Sequence, residues 1–192
     1  MSKTVSREVL SFKSQSLFRK WLVKNHASHH GIWLRIFKKG ADEKSIAYQE
    51  ALEEALCFGW IDGQKDKYDD ESWLQKFSPR LSKSVWSARN IKIVKKLIEE
   101  KRMHRSGLLQ VENAKADGRW DKAYESQKDA AIPEDFLSRV KKNKKAFKFF
   151  LTLNKTNLYS IYWRLQTAKK PETRERRIVA IIAMLEKGEK FH

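Results

Sequence analysis

Residues 57–90, CFGWIDGQKDKYDDESWLQKFSPRLSKSVWSARN, decide how this chain is read. Two extended arms, 60–68 and 73–78, flank the turn-forming run Asp69-Asp70-Glu71-Ser72, and Pro79 closes the second arm; this is the pattern of a β-hairpin. Three of the seven tryptophans fall here among turn residues and charges, which rules out an ordinary amphipathic helix with its single clean period. Because strand side chains alternate, Trp60, Asp62, Gln64, Asp66 and Tyr68 are expected on one face, polar in the middle and aromatic at both ends.

On the N-terminal side, Leu17, Phe18, Trp21 and Leu22 fall at helical spacing over 14–25, with Ser14 or Ser16 as cap. Residues 32–37 read as a strand, and 48–58 as a helix that Gly59 ends in a left-handed cap. On the C-terminal side, Ser84 or Ser87 is expected to cap a helix reaching Glu100, with Ile91, Val94, Leu97 and Ile98 as its core stripe; another helix follows over 106–116. Beyond the polar stretch 121–131 every pattern is helical. Phe136, Leu137 and Val140 are followed by Phe147, Phe150 and Leu151, then by Leu158, Ile161, Tyr162 and Leu165, and after Pro171 by Ile178, Ile181, Ile182 and Leu185. The expected fold class is α+β: a small, mostly antiparallel sheet with packed helices over 1–130, followed by a helical segment over 131–192.

At 192 residues the chain supports one domain, or one domain with a small appended unit. Its single cysteine excludes an internal disulfide and a thiolate zinc cluster, and points to a reducing compartment. The longest apolar run, 178–185, is far short of the roughly 20 residues that span a bilayer. The start, MSKTVSREVLSFKSQ, has no apolar export core, so a cytoplasmic protein without a membrane span is expected. The net charge of +17 is uneven: 138–192 hold 15 Lys and Arg against 4 acids, and the first 137 residues hold 26 against 20. A cationic surface of this kind concentrates polyanions such as nucleic acid; the bland alternative is a solvated, solubilising surface.

Two stretches resemble a known family. The first is Ala55-Leu56-Cys57-Phe58-Gly59-Trp60-Ile61-Asp62-Gly63, continued by Phe77-Ser78-Pro79-Arg80, Ser84-Val85-Trp86-Ser87 and Asn90. The second is Ala168-Lys169-Lys170-Pro171-Glu172-Thr173-Arg174-Glu175-Arg176-Arg177-Ile178. Together they are similar to the bacteriocin-protection, YdeI/OmpD-associated proteins. That resemblance implies an N-terminal α/β part, a C-terminal helical segment, and a role in protection against bacteriocins or association with an outer-membrane porin. The porin reading conflicts with the expected cytoplasmic location. Direct sequestration conflicts with the charge, because a +17 protein repels cationic bacteriocins. Indirect, stress-linked protection remains.

Several groups are candidates for a site. Cys57 is the only thiol and lies in the central motif, but a helix C-terminus and Glu53 one turn back both disfavour a thiolate, so it reads as a packing residue. Asp62 and Asp66 form an acid pair or cation ligands if they share a face; the alternative for Asp62 is a hydrogen bond holding the corner, for example to a tryptophan N–H. Trp60, Asp62, Arg80, Ser84, Trp86, Arg89 and Asn90, with Lys83 beside them, are the favoured ligand-binding set, gathered about an expected helix N-terminus that attracts anions. Lys169, Lys170, Arg174, Arg176 and Arg177 are a second anionic candidate, with Lys169, Arg174 and Arg177 the chosen contacts; a solvated helix face is the alternative. His26, His29 and His30 read as a polar loop, and Tyr159 with Trp163 as core.

No phosphate-binding glycine loop, nucleophile elbow or metal-binding histidine pair is present, so no cofactor or metal is expected and no catalytic residue is assigned. Three functions stand. The leading one is binding of an anionic ligand, nucleic acid or a nucleotide-like molecule, through basic surfaces. The others are an enzyme for a small anionic metabolite with a pocket around Trp60, Asp62 and Arg80, and an interaction module for a protein partner.

Overall fold

The computed structural model describes residues 8–125, 129–168 and 170–192. The fold is α+β. The chain forms two compact units, one made of the residues through Ser84 together with Asn90–Asp121, the other of Val85–Arg89 together with Lys122–His192.

The first unit carries strands β1 (Val9–Leu10), β2 (Ile32–Phe37), β3 (Trp60–Lys67) and β4 (Ser72–Pro79), and helices α1 (Gln15–Asn25), α2 (Tyr48–Cys57), α3 (Ala88–Glu99) and α4 (Arg105–Ala116), of which α3 enters it at Asn90. The sheet order is β1-β2-β4-β3. Only the β1–β2 pair is parallel. β2 alternates as an amphipathic strand should, burying Ile32, Leu34 and Ile36, which stand opposite Phe77, Gln75 and Trp73 of β4. Against that face packs α1, whose Phe18 ring lies 6.0 Å from Phe77, while Trp21 meets Trp60 edge-on at 5.8 Å. Ser14 caps α1, its Oγ accepting from the Leu17 N–H. α2 buries Ala51, Leu52, Ala55, Leu56 and Cys57 and gives way to Gly59 at φ +77°, where a left-handed residue turns the chain into β3.

Two expectations about the central stretch need correction. β3 and β4 do form a hairpin, but its register slips by one residue between Asp62 and Lys65. Asp62 stands opposite Phe77 while Asp66 stands opposite Leu74, so the bulge turns Asp66 to the other face and Lys65 and Lys67 take its place beside Trp60 and Asp62. Gln75 stabilises the bulge: its buried side-chain N–H groups donate to the carbonyls of Gly63 (3.0 Å) and Gln64 (3.2 Å). The second concerns the expected cap of the following helix: that helix begins at Ala88, directly after Ser87, so of the two expected caps it is Ser84 that is ruled out by position. The Ser84 hydroxyl closes its own turn, accepting from the Leu81 N–H at 2.9 Å, and so does not cap the helix.

The second unit is built on α5 (Glu134–Lys142), α6 (Lys144–Phe150), α7 (Lys155–Gln166) and α8 (Pro171–Glu186). Their apolar faces meet in a core of Phe136, Val140, Ala146, Phe150, Ile161, Leu165, Ile178, Ile181 and Leu185. Asn143 ends α5 and caps α6 through the Ala146 N–H, and Asn154 caps α7 through the Asn157 N–H. Residues 85–89 join this unit by a parallel bridge between Ser87 and Tyr124, with Ala88 N–H donating to the Tyr124 carbonyl and Tyr124 N–H to the Trp86 carbonyl. Leu151, expected in the core, is 67% exposed, because α6 ends at Phe150 and the chain turns before another helical position can face inward.

Candidate functional site

The central motif of the first unit is a packed corner. Trp60 is buried and donates its indole N–H to the His26 carbonyl at 3.1 Å. Asp62 accepts from the Tyr48 hydroxyl at 2.7 Å, which ties β3 to the first turn of α2. Arg80 is buried, and its backbone N–H donates to the Gly59 carbonyl. Asn90 is buried on α3, and Ser84 closes the turn described above. Trp86, which is buried, and Arg89, which is exposed, belong to the second unit. The favoured set is therefore distributed over both units. Cys57 is fully buried, and its thiol is pushed up to about 11 by desolvation first and the neighbouring Glu54 second.

A polar cluster that the sequence pattern hid lies one turn before Cys57. Glu54 sits on the buried face of α2 at 2% exposure, a position where a carboxylate needs compensation. It accepts from Gln15 Nε2 (2.8 Å), Arg19 Nη1 (2.7 Å) and Arg102 Nη2 (2.8 Å), while Arg102 also reaches Glu53 and Glu100. Burial alone would lower the Arg102 pKa, but these carboxylates raise it well above the usual guanidinium value. The signal was an acid three residues after Ala51 and one before Ala55, inside an apolar stripe. Glu54, Arg19 and Arg102 line an open cleft of about 550 Å³ with Lys13, Ser14, Gln15, Ser16 and Glu50. Cations and carboxylates share its wall, and the guanidinium groups of Arg19 and Arg102 are already engaged with Glu54. Nearby, the His104 ring stacks on Phe58 at 4.8 Å and meets His26 edge-on; burial, then the charges of His26 and Arg19, lower its pKa.

In the second unit the basic residues divide into two classes. Arg174 forms a bidentate pair with Asp135 and donates to the Leu165 carbonyl at 2.9 Å. Arg177 donates to the Arg164 carbonyl and to Thr167 Oγ1, which locks α8 against the end of α7. Lys169 lies outside the described residues. In contrast, Lys141, Lys142, Lys144, Lys145 and Lys148 are all exposed at the junction of α5 and α6, and among the described residues none is in an ion pair. No acid occurs between Lys141 and Asn154. Lys141 and Lys142 sit at the C-terminal end of α5, where the backbone favours cations, while Lys144 and Lys145 open the short α6, where it favours anions. The sequence carried this patch as charge asymmetry without marking which cations were uncommitted.

Trp163 also departs from expectation. It is 39% exposed, because the stripe of α7 that faces inward is Ile161, Tyr162 and Leu165, and Trp163 lies off it. Tyr159 stacks on Tyr162 at 5.9 Å. Trp163 lines a groove of about 400 Å³ with Arg164, Arg177, Ala180, Ile181, Met184 and Phe191, and the Arg164 guanidinium lies 3.9 Å over the Phe191 ring.

Residues 10–110 match the family model described as domain of unknown function DUF8412. Residues 129–188 match the model described as bacteriocin-protection, YdeI or OmpD-associated. No curated protein and no solved structure matches the chain. No helix among the described residues is long and apolar enough to cross a membrane.

Proposed function

The chain belongs to the family of the domain of unknown function DUF8412 through residues 10–110 and carries a bacteriocin-protection, YdeI or OmpD-associated segment at residues 129–188; on that premise we propose that it binds polyanions, nucleic acid foremost, through its second unit. One observation carries this reading: five exposed lysines, Lys141, Lys142, Lys144, Lys145 and Lys148, crowd eight positions with no acid among them. Like charges this dense repel one another, and a phosphate backbone relieves that repulsion while releasing its own counterions. Lysine suits the task, being a mobile point charge that reaches a phosphate without demanding a fixed geometry. Binding of this kind is weakly sequence-dependent and strongly salt-dependent. A part in bacteriocin protection, as the segment's family description suggests, is then indirect and cytoplasmic, through a nucleic acid or a nucleotide-like anion and not through the bacteriocin.

The test is fluorescence anisotropy with a labelled duplex across a range of potassium chloride, comparing the wild type with a variant in which all five lysines are glutamine. Each phosphate contact contributes about 0.9 to the slope of log affinity on log salt, so losing five lowers the magnitude of that slope by about 4.5. Circular dichroism checks that both proteins are equally helical. A wild-type affinity indifferent to salt, or a variant with an unchanged slope, overturns the proposal.

A further inference from the structure

We propose that the groove between α7 and α8 seats an unpaired base of single-stranded nucleic acid, with the strand's phosphates held by Arg177 and Arg164. This rests on the polyanion reading and adds a ligand class to it. The groove has the two halves such a ligand needs. Its apolar half is Trp163, Ile181, Met184 and Phe191, with Ala180 keeping the α8 wall low. Its charged half is two guanidinium groups, and among the described residues no carboxylate lines it.

The geometry favours a planar, anionic occupant. Trp163 is 39% exposed although it is the largest side chain on the groove wall, and an exposed indole beside cations is the stacking platform that bases use irrespective of their identity. Arg177 is held at one end only: Nη1 donates to the Arg164 carbonyl and to Thr167, and among the described residues Nε and Nη2 make no hydrogen bond. The paired donors of that free edge match two phosphate oxygens. Arg176, one turn before Ala180, is exposed on the same side of α8 and extends the positive surface along the strand. At about 400 Å³ the groove falls in the size range of small-ligand sites, enough for one base and its sugar. A duplex keeps its bases stacked inside and offers the groove nothing planar, so the inference separates single strands from double strands as the lysine patch alone does not.

The experiment compares a labelled twelve-nucleotide adenine strand with an abasic strand of the same length and charge. The wild type should bind the base-bearing strand about 10-fold more tightly, the effect of one stacked base. Trp163→Ala should abolish that preference while leaving the affinity for the abasic strand unchanged, and Trp163→Phe should retain most of it. Trp163 emission should be quenched by the base-bearing strand alone, seen as the part of the quenching that Trp163→Phe removes. Equal affinity of the wild type for the two strands overturns the base site and leaves the polyanion reading standing. Binding to neither strand overturns both. Preference for an acidic, phenylalanine-bearing peptide over the adenine strand assigns the groove to a protein partner and overturns the inference.

Discussion

Replacing Gly107 by alanine tests how α4 is seated on the end of α2. A Cβ built at Gly107 would lie 2.2 Å from the Cys57 carbonyl oxygen, 2.8 Å from its carbon and 2.9 Å from the Leu56 oxygen. All three are backbone atoms, so no side chain can swing aside. The two helices must separate by about 1 Å or more to restore ordinary contact. That movement strains the bonds made at the same place: His104 N–H to the Cys57 carbonyl (3.0 Å) and Ser106 Oγ to the Phe58 carbonyl (2.9 Å). Overpacking costs roughly 1–3 kcal/mol and each weakened hydrogen bond roughly 1 kcal/mol, against a helix-propensity gain of up to about 1 kcal/mol for alanine. A net loss of about 3 kcal/mol follows, which lowers the melting temperature by about 6–12 °C in a protein of this size. Calorimetry and urea denaturation read it directly. Gly118→Ala is the contrasting control: Gly107 is helical, whereas Gly118 has a left-handed φ of +74° with nothing within 4 Å of the added methyl, so its substitution carries only the left-handed penalty of roughly 1 kcal/mol. If Gly107→Ala melts at or above the wild-type temperature, or no lower than Gly118→Ala, the steric account of this junction is wrong.

Two further outcomes follow from the charges. Cys57, fully buried with its thiol at about 11, should resist iodoacetamide at mildly alkaline pH in the native protein and react at once in urea, as mass spectrometry would show; rapid native labelling would contradict the buried, protonated thiol. Asp135 feels a burial effect that would raise its pKa, but the Arg174 hydrogen bonds and charge outweigh it and hold the carboxyl below its usual range. A depressed carboxyl pKa contributes stability that is present above the unfolded value and lost as pH falls through the folded one. The gap in stability between wild type and Asp135→Asn should therefore be largest near neutrality and close below about pH 4, and with the Asp135 side chain half exposed it should not exceed about 1 kcal/mol. A gap that persists in acid would place its origin elsewhere.

The hairpin, the helical character of the C-terminal segment and most of the core of each unit were legible because their signals are periodic and local, whereas the break between α5 and α6 at Asn143 was not read. Ile32, Leu34 and Ile36 alternate, and Ile178, Ile181 and Leu185 recur at helical spacing. What stayed hidden depends on partners far away in sequence. β1 is two residues long and exists through its pairing with β2, which no local pattern announces. The bulge at Gly63 is stabilised by Gln75, eleven or twelve residues away, so alternation alone put Asp66 on the wrong face. Ser84 and Asn143 are both capping types, yet only the second caps a helix, because the Ser84 hydroxyl is taken by its own turn. Trp163 read as core since large aromatics usually are; its place off the Ile161–Leu165 stripe was visible, but exposure is decided by what packs opposite.

The same contrast separates the two kinds of basic residue in this protein. Its arginines are largely structural: Arg19 and Arg102 neutralise the buried Glu54, Arg35 pairs with Asp69, Arg119 with Asp117, Arg139 with Glu175 and Arg174 with Asp135. A planar, permanently charged fork suits such fixed partners, and removing one member of the Glu54 cluster would leave a buried charge uncompensated. The α5–α6 lysines have no such partners among the described residues. Net charge therefore overstates the surface that a ligand meets in the first unit, where guanidinium groups are already occupied, and describes it well at the α5–α6 elbow. On the proposed polyanion reading, the uncommitted lysines supply the attraction, and discrimination among polyanions has to come from a place where an aromatic face lies beside an arginine with an open edge. The groove of Trp163 and Arg177 meets both conditions.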